Sequence, residues 1–352
     1  MYALNDKIGA LRAYTPVKGE GCIRLDANES FLNLPREILK ELAASLSGLA
    51  CSRYPDPGAE TLCQAFARRY GVEAENVVAG NGSDELISVI FSAFLMKGET
   101  FATVEPDFSM YAQGGALAEG RHLALGKGDY QIHVDQVAAA CQKHGVRLLI
   151  FSNPCNPTSI LLKKEEVRRL VQSVEALVVL DEAYMDFASG QSLVGELDNF
   201  DNLIILRTCS KAVGMAAFRL GFALANRRLS GALRAAKSPY NVNAVSQLAG
   251  SLVLNRGDLL DKALETILAS RKQLVAGLQE ISAAFPGNFR ILPSAANFAA
   301  IVTENPGGLQ QALLARGVAV RHTGGLLRVT AGTPEENQLF LKIFRELWEE
   351  SR

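Results

Sequence analysis

The sequence has little to offer a metal ion, a disulfide framework or a membrane. Its six cysteines are Cys22, Cys51, Cys63, Cys141, Cys155 and Cys209, and no two are spaced C-x-x-C. That argues against a zinc ribbon or a thioredoxin-like motif. The four histidines, His122, His133, His144 and His322, show no metal-ligand spacing. No apolar stretch reaches the roughly 18 residues needed to cross a bilayer. The N-terminal run MYALNDKIGALRAY lacks a basic segment followed by an apolar one, so no signal peptide is expected. Neither charge sign is in excess, with 36 Lys+Arg against 37 Asp+Glu. Such a balance leaves no basic footprint for nucleic acid or an anionic membrane. The expected setting is a bacterial-type cytoplasm with reduced thiols.

What is present is ordinary globular composition. A 48% hydrophobic and 21% charged chain of 352 residues excludes disorder and a disulfide mini-scaffold. At roughly 150 residues per domain it divides into about two, with enough core to need no staples. The middle of the chain alternates short β-rich runs with helical stretches. Candidate strands are 77–79, 100–104, 146–151, 177–180, 203–206 and 221–225, with helix-period segments such as 85–96 and 164–173 between them. This rhythm predicts an α/β fold with a mostly parallel sheet covered by helices on both faces. VRLLIF and LVVL are nearly all apolar, as buried parallel strands are. Past about Asn243 the texture becomes long helices, then strands within 288–302 and 317–331, then helices near 308–315 and 335–349. The expected division is a large domain over 24–243, with an N-terminal arm (1–23) and a small α+β domain (244–352).

Four segments carry candidate chemistry. In LVVLDEAYMDF, Asp181 directly follows an apolar strand, where ligands sit in open α/β sheets. Taken alone it reads equally as a helix cap. In LIILRTCSKAVGMAAFRLGF, Lys211 lies in a turn past the next apolar strand, and Arg219 opens the strand after it. In FSNPCNPTS, two Asn-Pro steps hold the residues before each proline extended and present the Asn156 amide. In VVAGNGSDELISVIF, a Gly-containing turn leads to Ser83 and Asp84 at a helix start, a seat for phosphate; Ser83 alone is also a plain N-cap. Together the four fit pyridoxal 5'-phosphate: a lysine for a Schiff base, an acid for the pyridinium nitrogen and a helix N-terminus for the phosphate.

At this point the chain resembles fold-type I aminotransferases, and within them the histidinol-phosphate aminotransferase family. The segments carrying the resemblance are LRAYTPVKGEGCIRLDANES, RYPDP, AGNGSDELI, NPCNPTS, DEAYMDF, RTCSKAVGMAAFRLGF and LLRVTAGTPEEN. DANES and the last segment are the most family-specific. The resemblance implies Lys211 as the Schiff-base lysine and proton shuttle, with Asp181 paired to the pyridine nitrogen. It implies Asn156 and Tyr184 on the ring oxygen and Phe108 stacked on the ring. Ser83, Asp84, Ser210 and Arg219 would hold the phosphate. Tyr54 would reach the phosphate of a partner subunit in a homodimer. Tyr14, Asn156, Arg321 and Arg328 would meet the substrate. The implied reaction exchanges histidinol phosphate and 2-oxoglutarate for imidazole acetol phosphate and glutamate, in histidine biosynthesis.

This chain departs from the family's NPNNPTG, with Cys155 and Ser159 in place of an Asn and a Gly, and has Ala217 where a Gly is usual. Two relatives on the same scaffold compete. YNVNAVSQLAG has a flavour of threonine-phosphate decarboxylases, and an aromatic or broad-range aminotransferase shares the cofactor set. DANES and LLRVTAGTPEEN favour the transaminase. A non-enzymatic cofactor-binding regulator would not need Lys211, Asp181 and Asn156 together.

Overall fold

The computed structural model describes residues 2–11, 15, 17, 19 and 21–350. Tyr14 therefore lies outside the described residues.

Seven strands form the central sheet: β2 (Val77–Gly80), β3 (Thr100–Glu105), β4 (Arg121–Gly126), β5 (Val146–Ser152), β6 (Leu177–Asp181), β7 (Leu203–Thr208) and β8 (Gly221–Ala225). Their order is β2-β8-β7-β6-β5-β3-β4. Neighbours among β7, β6, β5, β3 and β4 pair in parallel, while β8 runs antiparallel to both β2 and β7. The sheet is thus mostly parallel, as expected, with one reversed strand.

Period-two burial explains the apolar runs. Leu149 and Phe151 of β5, Val178 and Leu180 of β6, and Leu203 and Ile205 of β7 enter one apolar layer. The alternate residues Leu148, Ile150, Val179, Ile204 and Leu206 enter the layer on the other face. β4 was not anticipated. Its residues RHLALG alternate between exposed and half-buried at the sheet edge, so no apolar run marks it.

The C-terminal residues build a second sheet from β9 (Phe289–Ile291), β10 (Phe298–Thr303), β12 (Arg321–Thr323) and β13 (Leu326–Thr330), in the antiparallel order β12-β13-β10-β9. The helices Gly257–Ala284 and Pro334–Glu350 pack their Leu274, Leu278, Ile281, Phe340 and Phe344 on it. Two short strands, β1 (Ile23–Arg24) and β11 (Val318–Ala319), pair in parallel beside it, and Leu25 joins the same apolar cluster.

Candidate active site

The carboxyl ends of β2, β3, β5, β6 and β7 open onto one cavity of about 270 Å³, roofed by the β12–β13 hairpin. Ser83, Asp84, Phe108, Asn156, Asp181, Tyr184, Ser210, Lys211, Arg219, Arg321 and Arg328 all line it. Tyr54 does not; it is 80% exposed and stacks on Tyr240 with ring centroids 4.5 Å apart.

Asp181 ends β6 and is buried. Its Oδ2 accepts from the Tyr111 hydroxyl at 2.8 Å and its Oδ1 from the Ala183 N–H at 3.0 Å. Among the described residues, no Lys, Arg or His stands at ion-pair distance from it. Burial therefore pushes its carboxyl from the ordinary 3.8 up to about 7, against the lowering effect of the Tyr111 bond. The same burial, together with Asp181, holds Tyr111 protonated and so a donor.

Lys211 projects from the turn after β7. Its Nζ donates to the Ala27 carbonyl at 3.1 Å and stands 5.8 Å from the Tyr184 ring centroid. The Tyr184 hydroxyl accepts from Asn28 Nδ2 at 2.9 Å, so its own proton remains available to donate. Asn28 is oriented by Thr330, whose hydroxyl donates to Asn28 Oδ1 at 3.1 Å.

The helix Ser83–Phe94 starts at this edge. Gly82, not Ser83, is its cap residue, and no side chain caps it, so its first N–H groups stay available. Gly82 has φ +83°, and a Cβ there would lie 2.7 Å from Arg219 Nη2. Only glycine lets the guanidinium lie over this helix start, where it pairs with Asp84 at 2.9 Å. Ser210 shares the rim; its hydroxyl accepts from Thr208 Oγ1 at 3.0 Å.

The hairpin brings two arginines in from the other side. Gly324 and Gly325 both have positive φ, the requirement of a two-residue turn, and Arg321 is then paired with Arg328. A Cβ on Gly324 would lie 2.8 Å from Pro157 Cγ and 2.9 Å from Pro106 Cβ, so the turn tip rests on the loops carrying Asn156 and Phe108. Arg328 donates to Asn156 Oδ1 and to the Asp26 carbonyl, each at 2.6 Å. The first bond fixes the amide, turning its NH₂ away from Arg328. Arg321 donates to the Thr15 carbonyl at 3.3 Å. Ser159 tolerates the place of a glycine at φ +61° because its hydroxyl accepts the N–H groups of Ala295 and Ala296, at 3.0 and 2.9 Å.

Sequence reading missed Asn28, Tyr111 and Asp107. Asn28 stands in DANES, which marked the family but carried no role, and Tyr111 stands in the same PDFSMY as Phe108.

Comparison with known proteins agrees with this architecture. The family described as aminotransferase class I and II matches residues 20–344. A histidinol-phosphate aminotransferase of Clostridium kluyveri is 38% identical over 92% of this chain and 93% of its own. One from Clostridium novyi is 36% identical over 90% and 88%. The crystal structure of histidinol-phosphate aminotransferase from Sinorhizobium meliloti, in complex with pyridoxal 5'-phosphate, has the same fold, with a TM-score of 0.89, 23% identity and 100% and 99% of the two chains covered. The chain belongs to the class I and II aminotransferases and, within that class, to the histidinol-phosphate aminotransferase family. It is a pyridoxal-phosphate-dependent aminotransferase of fold type I.

Proposed function

We propose that this chain transfers the amino group of histidinol phosphate to 2-oxoglutarate, giving imidazole acetol phosphate and glutamate in histidine biosynthesis. The observation that carries the reading is a buried carboxylate without a cation, Asp181, in one cavity with Lys211 and an arginine pair. A protonated pyridine nitrogen supplies the missing charge. The residues present therefore fit pyridoxal 5'-phosphate, which contributes an aldehyde for Lys211 and an electron sink for the substrate carbon.

Each described residue has a task that its surroundings support; that of Tyr14 follows from the family resemblance alone. Asp181 would keep the ring nitrogen protonated. Phe108 would pack against the ring. The Asn156 NH₂ and the Tyr184 hydroxyl would donate to the ring oxygen. The N–H groups at Ser83 and Asp84, with Ser210 and Arg219, hold the cofactor phosphate at a helix N-terminus. Lys211 would carry the proton to and from the substrate carbon as general base and acid. Arg321 and Arg328 bind the substrate phosphate through forked donors, and Tyr14 adds a hydroxyl.

The working unit is a cytoplasmic homodimer in which Tyr54 reaches the partner's cofactor phosphate; its exposure leaves it available for that. Residues 24–243 form the cofactor-binding domain. Residues 1–23 and 244–352 are assigned to the arm and small domain, although Leu25, inside the 24–243 bound, packs in the small domain's apolar cluster. A substrate panel tests the reading: histidinol phosphate, phenylalanine and threonine phosphate, each with 2-oxoglutarate. Preferred amino transfer from histidinol phosphate is expected. Preference for phenylalanine, or CO₂ release from threonine phosphate, overturns it.

A further inference from the structure

A buried ion pair that this chemistry does not use reaches the cavity wall through Asp107. Asp107 follows β3 and Lys127 follows β4; their side chains are 0% and 1% exposed, and Lys127 Nζ stands 3.7 Å from Asp107 Oδ2. A buried ion pair adds little net stability over an apolar pair of similar shape. Stability alone does not account for it.

Its hydrogen bonds say what it does. Asp107 accepts from the N–H of Phe108 at 2.8 Å, from the N–H of Ser152 at 3.0 Å and from the Ser152 hydroxyl. The Ser152 oxygen in turn accepts from the N–H of Asn156 at 3.0 Å. One carboxylate thereby ties the loop after β3 to the loop after β5. Lys127 reinforces the tie at both ends. Its Nζ donates to the carbonyl of Pro106, just before Asp107, and to the sulfur of Cys155, just before Asn156, each at 3.2 Å.

We infer that Asp107, anchored by Lys127, is a positioning residue that holds Phe108 and Asn156 in fixed relation across the cofactor cavity. The inference rests on the roles proposed above for those two residues. Their backbone N–H groups end on one Asp107–Ser152 unit, so neither loop shifts without the other. The Phe108 ring meets Tyr111 edge-on at 5.6 Å, and Tyr111 holds Asp181, so the same unit also bears on the ring-nitrogen contact. Cys155, a departure from the family pattern, has its place here as the sulfur that Lys127 grips.

The test compares holoenzymes of wild type, Lys127→Met, the double variant Asp107→Asn/Lys127→Met, and Ser152→Ala. Thermal midpoint, induced circular dichroism of the bound cofactor, and kcat and KM for histidinol phosphate are read on each. Lys127→Met strands a buried carboxylate and lowers the midpoint. The double variant removes both charges and recovers most of that loss. Its kcat nevertheless stays down by about tenfold or more, with KM within about threefold and an altered dichroism band. Ser152→Ala, which leaves the ion pair in place, shows the same altered band and reduced kcat; it carries the test if the double variant does not fold. Variants whose band and kcat match wild type overturn the inference and leave the proposed function standing. A wild type with no cofactor band overturns both.

Discussion

Arg321 and Arg328 are direct cross-strand partners on the β12–β13 hairpin, and both line the cavity that holds Lys211 and Asp181. Like charges directly opposite each other destabilise a strand pair. The proposed function places the substrate phosphate between them. Arg321→Ala should therefore raise KM for histidinol phosphate by roughly 10- to 150-fold, since a charge-assisted hydrogen bond contributes about 1.5–3 kcal/mol. Phenylalanine, whose carboxylate would need only Arg328 on the proposed function, should be affected much less. Steady-state kinetics on both substrates check this; equal losses would give Arg321 a general structural role.

The proposed function makes Lys211 the reactive amine of the site. Lys211→Ala should abolish turnover while leaving the sheet intact, because among the described residues its Nζ donates one hydrogen bond, to the Ala27 carbonyl. Borohydride reduction of the wild-type holoenzyme should attach the cofactor to the peptide containing Lys211. Recovery of the label on another lysine would refute the assignment.

Asp181 makes stability depend on pH in a direction opposite to most carboxylates. Its folded value of about 7 lies above the ordinary 3.8 because burial favours the neutral form. The native state without cofactor holds this proton more tightly than the unfolded chain. Its stabilising effect is full below pH 4 and is lost as pH rises to 7, a change of roughly 4 kcal/mol. The cofactor-free Asp181→Asn variant should therefore be more stable than cofactor-free wild type at pH 8, with the gap closing toward pH 4. Adding cofactor should reverse the order at pH 8, because only the carboxylate pairs with a protonated ring. Denaturant melts with and without cofactor measure both; a gap that does not change with pH would count against a buried, neutral Asp181.

Tyr54 is exposed and stacks on Tyr240, and the proposed function has it reach a partner subunit's cofactor phosphate. Tyr54→Phe should weaken cofactor affinity without disturbing the fold, since the stacked ring is retained. Cofactor titration of the variant, with sedimentation of wild type, checks the idea. A stable, active monomer would end it.

Some of this site could be read directly. Asp181 and Lys211 drew attention because each lies at or just past an apolar strand, where ligands sit in open α/β sheets; taken alone, the first reads equally as a helix cap and the second as a surface residue. β4 did not, because an edge strand that buries little needs no apolar run. Asn28 and Tyr111 were silent for another reason. Their partners, Tyr184 and Asp181, are 156 and 70 residues away along the chain, and no spacing rule links them.

The amino-acid order by itself determined the local pieces: apolar strands buried on both faces, the glycine-led helix start before Ser83, the Gly324–Gly325 turn, and the Lys211 turn past an apolar strand. Those follow from backbone conformation and hydrophobic pattern, which act over a few residues. Only the tertiary structure decided which pieces meet. The parallel pairing of β6 between β5 and β7 puts Asn156, Asp181 and Lys211 at one sheet edge. The hairpin lowers Arg328 onto Asn156, 172 residues away, and so fixes the direction of the amide. Burial raises the Asp181 carboxyl and encloses Asp107 with Lys127. Long-range contacts and desolvation belong to the packed chain as a whole, so no segment of sequence carries them alone.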